Sequence, residues 1–501
     1  MILKPRLQDI KITGYYLGKI ILGLAITMVF PIAIGLGFGE INPTFDFVIG
    51  VEIAIILGLV LTKLCWTQED LNWMQGMIVV SLAWLAAMFL GAIPLYLGGH
   101  FKSYLDACFD VMSGFTATGL ALIQDLDHIS HAHNFWRHFG QFIGGQGMII
   151  VALSLFIRGS SGALKLYVGE AREEKILPNV ISTSRFIWLI SIVYLALCTF
   201  ILGLVGIFNV GLSPQEAFFH GVCVFMAGFD TAGFAPRSQS ILYYHSFLYE
   251  CLITVIMIMG ALNFNFHYQL WVGRRREVWK NIESKAFFIS IALLFFITAI
   301  GLNQAGAYTG TLMHLRKGFF QFISAHTTTG YATIYAKQFT KEWGELALMG
   351  LILAMSVGGF ICSTAGGIKM LRIGIIFKAL REDIKEFILP EKAVAFEKFH
   401  HIKDMFLNDK LVRSAFMITL AYLVLYMLGA IIGMLCGYPF LESLFESVSA
   451  AANVGLSTGL TAYSMPAALK ITYIIQMWAG RLEFMSIFTL IGFFVAAVKG
   501  R

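Results

Sequence analysis

The segment Thr328-Thr329-Gly330-Tyr331-Ala332 decides the fold, because the chain repeats it in degenerate form four times. The other three copies are Ala117-Thr118-Gly119-Leu120-Ala121, Thr231-Ala232-Gly233-Phe234-Ala235 and Asn453-Val454-Gly455-Leu456-Ser457. Each copy, here called a strip, has a glycine followed by a bulky apolar residue and then a small one. One strip alone would be typical of an ordinary tight turn, but four related strips indicate a repeat architecture.

A short amphipathic segment precedes every strip, and longer apolar runs flank each pair. Crossing a bilayer takes a helix of about 20 residues, so the shorter segments are typical of re-entrant half-helices. The predicted half-helices are 104–115, 215–229, 315–326 and 441–452. The longer runs predict ten crossings, at 16–38, 45–64, 71–98, 137–157, 183–208, 244–272, 285–304, 343–375, 411–436 and 468–498.

The composition agrees with a membrane protein. Of 501 residues, 58% are hydrophobic and 13% are charged, against about 25% charged in a typical soluble domain. This excludes one large soluble enzyme and a disordered chain. The prediction is an all-α polytopic membrane protein: two N-terminal transmembrane helices (1–66) and four membrane–pore-loop–membrane repeats around a pseudo-fourfold pore. The repeats are predicted at 67–160, 161–275, 276–390 and 391–501.

Lysine and arginine cluster on one set of loops, which the positive-inside rule assigns to the cytoplasm. The cluster comprises Arg172, Lys175, Arg185, Arg274, Arg275, Arg276, Lys280 and the basic residues from Arg372 to Lys410, among them Lys392. The opposite loops are poorer in basic residues, with Arg316, Lys317, Lys337 and Lys341 as exceptions. Both termini are therefore predicted to be cytoplasmic. Topology accounts for the net charge of +6, so no nucleic-acid partner is expected.

The strips suggest a chemistry for the centre of the molecule. Non-helical backbone at membrane depth is tolerated only where it is buried in protein or lines a watery cavity. Glycine permits backbone conformations that direct carbonyl oxygens inward. Four such strips around one axis could replace the hydration shell of a monovalent cation. The negative C-terminal end of each half-helix would favour the same ion.

The strip Thr328-Thr329-Gly330-Tyr331 resembles the TVGY part of a potassium-channel filter. The four-unit chain with one glycine per strip resembles the TrkH/KtrB/HKT superfamily of potassium transporters, and the two leading spans are similar to the TrkH branch. In relatives, a serine at the first filter glycine favours sodium, and this chain has Gly119 there. The resemblance therefore implies potassium as the transported ion and no cofactor in this chain.

The resemblance also implies site residues and partners. The implied K⁺ selectivity filter comprises Thr116, Ala117, Thr118, Gly119, Leu120, Thr231, Ala232, Gly233, Phe234, Thr328, Thr329, Gly330, Tyr331, Asn453, Val454, Gly455 and Leu456. The implied K⁺ ligands are Ala117, Thr118, Thr231, Ala232, Thr328, Thr329, Asn453 and Val454. The expected setting is a bacterial inner membrane, with a homodimer and a cytosolic TrkA-type nucleotide-binding ring as regulatory partner.

The second span of the third repeat is interrupted between Ser356 and Lys369. Its four glycines are unfavourable for a continuous helix, since each costs about 1 kcal/mol relative to alanine. Broken helices in transporters line the transport path, although small residues also suit close helix packing. In TrkH-like proteins this segment is an intramembrane loop that blocks the pore below the filter. The implied gate residues are Gly358, Gly359, Ser363, Thr364, Ala365, Gly366, Gly367, Lys369 and Arg481.

Arg481 lies within the last predicted span, where a charge is costly and marks an ion pathway or a buried pair. The resemblance implies that Arg481 repels cations in the closed pore or holds the loop by hydrogen bonds to its carbonyls. The alternative is a structural pair with Glu483 or another carboxylate. Lys369 could add to the barrier or extend its amine to the membrane surface.

Two further groups allow more than one interpretation. Asp230 precedes the second strip and either adds negative charge at the filter or, the preferred hypothesis, accepts hydrogen bonds from backbone amides behind it. The histidines are interpreted as a solvated loop, with a metal site as the alternative. This second group contains His128, His131, His133 and His138. The glycines of 144–147 are interpreted as a close-packing surface.

Three classes of function fit a polytopic chain. The leading hypothesis is a potassium-translocating subunit with uptake driven by membrane potential, and its coupling to protons or sodium is open. The alternative is an ion-coupled secondary symporter of a small solute, whose inverted repeats would predict two related halves instead of four units. A membrane-embedded enzyme ranks last, because no metalloprotease, nucleophile-elbow or Walker A motif is present.

Overall fold

The computed structural model describes residues 6–148, 160–170, 176, 179–273, 276–308, 310–390 and 396–500. Five of the predicted cytoplasmic basic residues lie outside this part of the chain, as does the end of the predicted span 137–157. These five are Arg172, Lys175, Arg274, Arg275 and Lys392.

Two apolar helical spans begin the chain. The first consists of α1 (Leu7–Thr27) and α2 (Val29–Gly37), and the second is α3 (Ile41–Leu64). Gly18 of α1 allows a close approach to α3, since a Cβ at this position would lie 2.9 Å from the side chain of Leu61. The two leading spans therefore pack on each other as a pair.

Four units of similar plan follow. The first has α4 (Trp73–Leu97), α5 (Tyr104–Phe115), α6 (His131–Gln146) and α7 (Ser160–Gly169). The second has α8 (Val180–Val205), a π-helical turn (Gly206–Val210), α9 (Pro214–Phe229), a 3₁₀ turn (Ser240–Tyr244), α10 (Phe247–Ala261) and α11 (Phe264–Trp271).

The third unit is the most interrupted. It has α12 (Arg276–Lys280), α13 (Ile282–Gln304), a lead-in (Thr311–Met313 and His314–Phe319), α14 (Phe320–His326), α15 (Ala336–Glu342), α16 (Gly344–Val357) and α17 (Met370–Ile388). The fourth has β1 (Lys398–His401), β2 (Lys403–Phe406), α18 (Asp409–Leu435), α19 (Phe440–Ala451), α20 (Ala467–Arg481) and α21 (Met485–Lys499).

The half-helices α5, α9, α14 and α19 occupy the centre. Their starts carry ordinary signals: Ser103 and Ser213 cap α5 and α9, and Pro214 is the first residue of α9. The run Asp106–Phe115 of α5 is buried throughout, which is typical of a helix surrounded by protein. All four lie where the sequence predicts re-entrant segments.

Among the described residues, six helical spans are long and apolar enough to cross a membrane, and two bent pairs raise the number to eight. The pairs bend by 102° between α10 and α11 and by 113° between α20 and α21. The two other predicted crossings are 137–157 and 343–375. The first begins in α6 and continues into residues that the structure does not describe. The second begins with α16, a 14-residue apolar helix that ends before Gly358. The predicted polytopic all-α fold is confirmed, and the exact repeat boundaries stay predictions.

One small element was not predicted, an antiparallel hairpin between α17 and α18. Its strands pair Phe399 with Met405 and His401 with Lys403. Ion pairs attach the hairpin segment to two helices. Glu397 contacts Lys378 of α17 at 2.6 Å, and His400 contacts Glu277 of α12 at 2.8 Å. Hydrogen bonds from Lys378 and Lys385 hold the pKa of Glu397 at about 2.

We expect the hairpin to lose stability as the pH rises. The hydrogen bonds with Asp404 and Glu277 raise the pKa of His400 above its ordinary value of 6.5. A group with a raised pKa stabilises fully below its unfolded-state pKa and loses that contribution as the pH rises through the folded-state value. Amide exchange of residues 396–407, corrected for intrinsic rate, should accelerate above about pH 6.5. His400→Gln should flatten this profile, and a flat wild-type profile would contradict the expectation.

Candidate ion pathway

The four strips share one backbone conformation. Each begins with a residue in the left-handed region, two positions before its glycine. These residues are Ala117 (φ 55°), Thr231 (47°), Thr328 (56°) and Asn453 (55°). The glycines also have positive φ: 96° at Gly119, 73° at Gly233, 87° at Gly330 and 91° at Gly455. Left-handed non-glycine residues are uncommon and cluster at functional sites, so their fourfold recurrence shows that the repeat extends to backbone detail.

The amides of each strip point back into the preceding half-helix. The residue just before each glycine donates its N–H to a half-helix carbonyl at 2.8 Å in all four units. The pairs are Thr118 to Ser113, Ala232 to Ala227, Thr329 to Ser324 and Val454 to Ser449. Because the amides are satisfied on the helix side, the peptide carbonyls are turned the other way.

The carbonyl of the residue just before each glycine meets the glycine of a neighbouring strip. A Cβ on Gly119 would lie 2.4 Å from the Ala232 oxygen, and one on Gly233 would lie 2.1 Å from the Thr329 oxygen. The corresponding distances are 2.0 Å from Gly330 to Val454 and 2.1 Å from Gly455 to Thr118. The contacts run from strip one to two, three, four and back to one. The predicted filter residues are thus brought together in a closed ring, at positions where a side chain has no room.

The bulky residue after each glycine braces the ring from outside. Leu120, Phe234, Tyr331 and Leu456 are all buried. The Tyr331 hydroxyl donates to the Val224 carbonyl at 2.9 Å, and the Arg137 guanidinium stacks over the Phe234 ring at 4.1 Å.

Several bracing residues were not predicted. Gln141 donates to the Ala232 carbonyl at 2.5 Å, and Asp110 holds Arg137 at 2.7 Å. Glu446 accepts hydrogen bonds from Ser457, Thr458 and Thr461 after the fourth strip. A sequence signal exists for two of them: the position nine residues before each glycine carries Asp110, Val224, Gln321 and Glu446. Three of these four residues are polar within otherwise apolar half-helices.

A cavity of about 220 Å³ opens on one side of the ring. All four strip glycines line it, together with Arg137, Arg237 and Tyr335 among others. Arg237 is tied to the wall, since it donates to the Asp127 carbonyl at 3.0 Å. The ring is therefore open to this cavity from every repeat.

The interrupted segment 358–369, here called the gate loop, packs against the residues at which the second, third and fourth strips begin. The Gly366 amide donates to the Thr328 hydroxyl at 2.9 Å, and the Thr231 hydroxyl donates to the Thr364 hydroxyl at 3.2 Å. A Cβ on Gly366 would lie 2.1 Å from the Ala452 oxygen. The loop thus touches three of the four units. Its small residues also pack closely, which agrees with the packing interpretation, and the path-lining interpretation stays a prediction.

The remaining predicted gate residues belong to the same loop. Gly358 and Gly367 have positive φ values of 75° and 71°. A Cβ on Gly359 would lie 2.5 Å from Cβ of Ala365, and Ser363 donates to the Phe360 carbonyl at 2.6 Å. These contacts fold the loop on itself, which explains why small residues occupy it.

Lys369 and Arg481 both reach loop carbonyls. The Lys369 amine is buried and donates to the Ala365 carbonyl at 2.5 Å, so the interpretation of a lysine extended to the membrane surface is wrong. Arg481 ends α20, where the last span bends, and donates to the Thr364 carbonyl at 2.9 Å. The Nη2 atom of Arg481 donates hydrogen bonds to the carbonyls of Gly144 and Gly145. Glu483 pairs with Arg372 of α17.

The glycines of 144–147 serve close packing, as the sequence predicts. A Cβ on Gly144 would lie 1.7 Å from the Phe115 oxygen at the end of α5. Gly260 and Gly480 stand in the same relation to Phe229 and Ala451, at 1.9 Å each. Three second spans therefore place a glycine against the end of a half-helix.

Asp230 lies behind the second strip, fully buried. It accepts a hydrogen bond from the Gln146 side-chain amide at 2.7 Å, and a Cβ on Gly145 would lie 2.4 Å from its Cβ. This bond is to a side-chain amide, and the hypothesis that backbone amides bind Asp230 stays a prediction. Asp230 fixes α6 to the end of α9.

The histidine group is only partly a solvated loop. His128 has an 82% exposed side chain, but His133 and His138 are buried, so the solvated interpretation is wrong for these two. A hydrogen bond of 2.8 Å joins His133 to Ser130. His131 contacts Glu40 at 2.8 Å, and this contact joins α6 to the leading spans. Within the described ranges, no group of three or more histidine, cysteine or acidic residues is arranged to hold a metal ion.

Together, the fold and this ring define a class: a multi-pass membrane protein whose four half-helices and glycine strips surround one central path. A family model described as "Cation transport protein", TrkH, matches residues 43–494, and the chain belongs to this family.

Individual relatives agree along nearly the whole chain. An uncharacterized cation transporter of Methanocaldococcus jannaschii, MJ1485, is 33% identical over 96% of this chain and 95% of its own length. The Trk system potassium uptake protein TrkG of Escherichia coli is 27% identical over 97% of this chain and 99% of its own. The crystal structure of the potassium transporter TrkH from Vibrio parahaemolyticus matches with a TM-score of 0.81 at 22% identity, over 97% of this chain and 98% of that one. This last likeness supports the fold.

Proposed function

We propose that this chain is the potassium-translocating subunit of a Trk-type uptake system. The observation that carries the proposal is the closed ring in which each strip glycine faces a carbonyl of the next strip. Relatives named as potassium uptake proteins support the choice of ion. The half-helices end at this ring, so their negative C-terminal ends favour a cation there.

In the proposed mechanism, K⁺ enters from the cavity beside the glycines and exchanges its water for carbonyl oxygens. The carbonyls of Thr118, Ala232, Thr329 and Val454 form one layer, and those of Ala117, Thr231, Thr328 and Asn453 form the layer nearer the gate loop. A carbonyl ring selects among monovalent cations without any titratable ligand. A potential of 100 mV supplies about 2.3 kcal/mol per charge for accumulation.

The gate loop is proposed as the barrier on the cytoplasmic side of the ring. Its contacts with Thr231 and Thr328, at the start of the second and third strips, support this proposal. Arg481 adds a positive charge beside the loop and tethers Thr364. Opening requires the loop to leave these contacts.

The proposed assembly is a homodimer in a bacterial inner membrane, with both termini cytoplasmic. A TrkA-type nucleotide-binding ring is the proposed regulator, since several relatives are named as members of a Trk system. The basic segment that follows the gate loop would then face this partner.

We expect the chain to restore growth of a potassium-uptake-deficient bacterium at low potassium. Purified protein in vesicles should take up ⁸⁶Rb⁺ when the interior is negative, because the proposed driving force is the membrane potential. Collapse of an imposed sodium or proton gradient at fixed potential should leave the uptake unchanged if the path is channel-like. Vesicles without the chain give the background. The absence of potassium flux even with a cytosolic Trk partner would refute the proposed function.

A further inference from the structure

The buried side chain of Glu283 joins the hairpin to the gate loop. This residue lies in the first turn of α13 and is fully buried. Its Oε1 accepts a hydrogen bond from the Ile361 amide of the gate loop at 2.7 Å. Its Oε2 lies 3.6 Å from Nδ1 of His401 on β1. One carboxylate therefore touches the gate loop with one oxygen and the hairpin with the other.

The hairpin end of this connection is fixed in place. His401 is buried, and its Nδ1 also lies 3.4 Å from Oδ1 of Asn281. The neighbouring Phe399 packs with Ile282 and Ile375 in a small apolar cluster. A displacement of the hairpin must therefore move His401 relative to Glu283.

The loop end is equally constrained. A carboxylate that accepts a backbone N–H makes a charge-assisted hydrogen bond, which is stronger than a neutral one. Ile361 lies between Gly359 and Ser363, in the part of the loop that folds back on α10 through the Phe360 amide and the Ala261 carbonyl. The loop residues that touch the strips follow within a few positions.

We propose that Glu283 is a positioning residue that couples the position of the hairpin to that of the gate loop. This inference rests on the proposed gating role of the loop. A second connection runs in parallel, since α17 continues directly from the loop and Glu397 of the hairpin segment contacts Lys378 on it. A displacement of the hairpin would thus reach the loop through both connections.

The test compares amide exchange of residues 358–369 in the wild-type chain and four full-length variants in lipid nanodiscs. Glu283→Gln keeps an acceptor for the Ile361 amide but loses the charge that faces His401, and His401→Leu removes the hairpin end alone. Each breaks the contact between Glu283 and His401 and is expected to speed exchange of the loop up to about fivefold, the size expected for the loss of one close charge pair. The double variant should add little to either, because both break one connection. Lys403→Gln, an exposed change on the same hairpin, should leave exchange unchanged.

Flux measurements separate this inference from the proposed function. His401→Leu should change basal ⁸⁶Rb⁺ flux while the K⁺/Na⁺ ratio stays at the wild-type value, because the ring is not touched. Wild-type exchange rates in His401→Leu, or fully additive effects in the double variant, would overturn the coupling even if potassium flux is normal. Coupled exchange in a chain that carries no potassium flux would refute the proposed function and leave the coupling intact.

Discussion

Gly330→Ser is expected to reduce potassium uptake and the K⁺/Na⁺ ratio by about five- to a hundred-and-fiftyfold, the range that corresponds to the 1–3 kcal/mol cost of forcing extra atoms into a tightly packed site. A Cβ at this position would lie 2.0 Å from the Val454 oxygen and 3.0 Å from its carbon. Real Cβ atoms do not approach backbone so closely, so the fourth strip must retract. The φ of 87° is also unfavourable for serine. Paired ⁸⁶Rb⁺ and ²²Na⁺ uptake into vesicles measures both quantities.

Gly211→Ser is the matched control for this substitution. Gly211 has a φ of 83°, close to that of Gly330, but nothing lies within 4 Å of a Cβ built on it. The control therefore carries the same backbone penalty without the clash. An unchanged K⁺/Na⁺ ratio in Gly330→Ser would mean that the strips do not form the filter. Gly119→Ser should behave as Gly330→Ser does, because its Cβ would lie 2.4 Å from the Ala232 oxygen.

The half-helices and strips could be predicted because their signals are local. The length of an apolar run distinguishes a crossing from a re-entrant segment, and a glycine at a fixed place in each copy marks the turn. The order in which the strips contact one another could not be predicted from such local signals. The contact that closes the ring joins Gly455 to Thr118, two residues far apart in the chain.

The missed elements have weak or misleading local signals. The hairpin turns at Ile402 with a φ of 63°, whereas β-branched residues are rare in that region and the usual hairpin signal is Asn-Gly or Asp-Gly. The last span bends at Glu483 and Phe484, whose φ values are 48° and 71°, without a glycine or proline at either position. The pairing of Glu483 with Arg372 is a tertiary contact that stabilises this bend.

The partners of Arg481 show the same limit. Its place within an apolar span indicates a functional or paired charge, and Glu483 is the nearest acid in sequence. The bend instead turns Glu483 toward α17 and leaves the guanidinium between the gate loop and α6. Which carbonyls it reaches depends on how three separate units pack.

Arg481→Gln is expected to raise basal potassium flux at least about tenfold, because charge-assisted hydrogen bonds contribute about 1.5–3 kcal/mol each. The substitution removes the donors that hold Thr364 and Gly145, and it removes a positive charge beside the path. Flux of ⁸⁶Rb⁺ without any added cytosolic partner is the measurement. Arg413→Gln, the same change at an exposed position of α18, should have no effect.

Arg481→Lys separates the two ways in which this arginine could close the path. Lysine keeps the charge but has no planar fork that reaches carbonyls of the loop and of α6 at once. Low flux in Arg481→Lys would assign closure to electrostatic repulsion, whereas flux as high as in Arg481→Gln would assign it to the tether. The tether is the expected result, because the guanidinium donates to carbonyls on two elements that must separate when the loop moves. Wild-type flux in Arg481→Gln would remove Arg481 from the gate altogether.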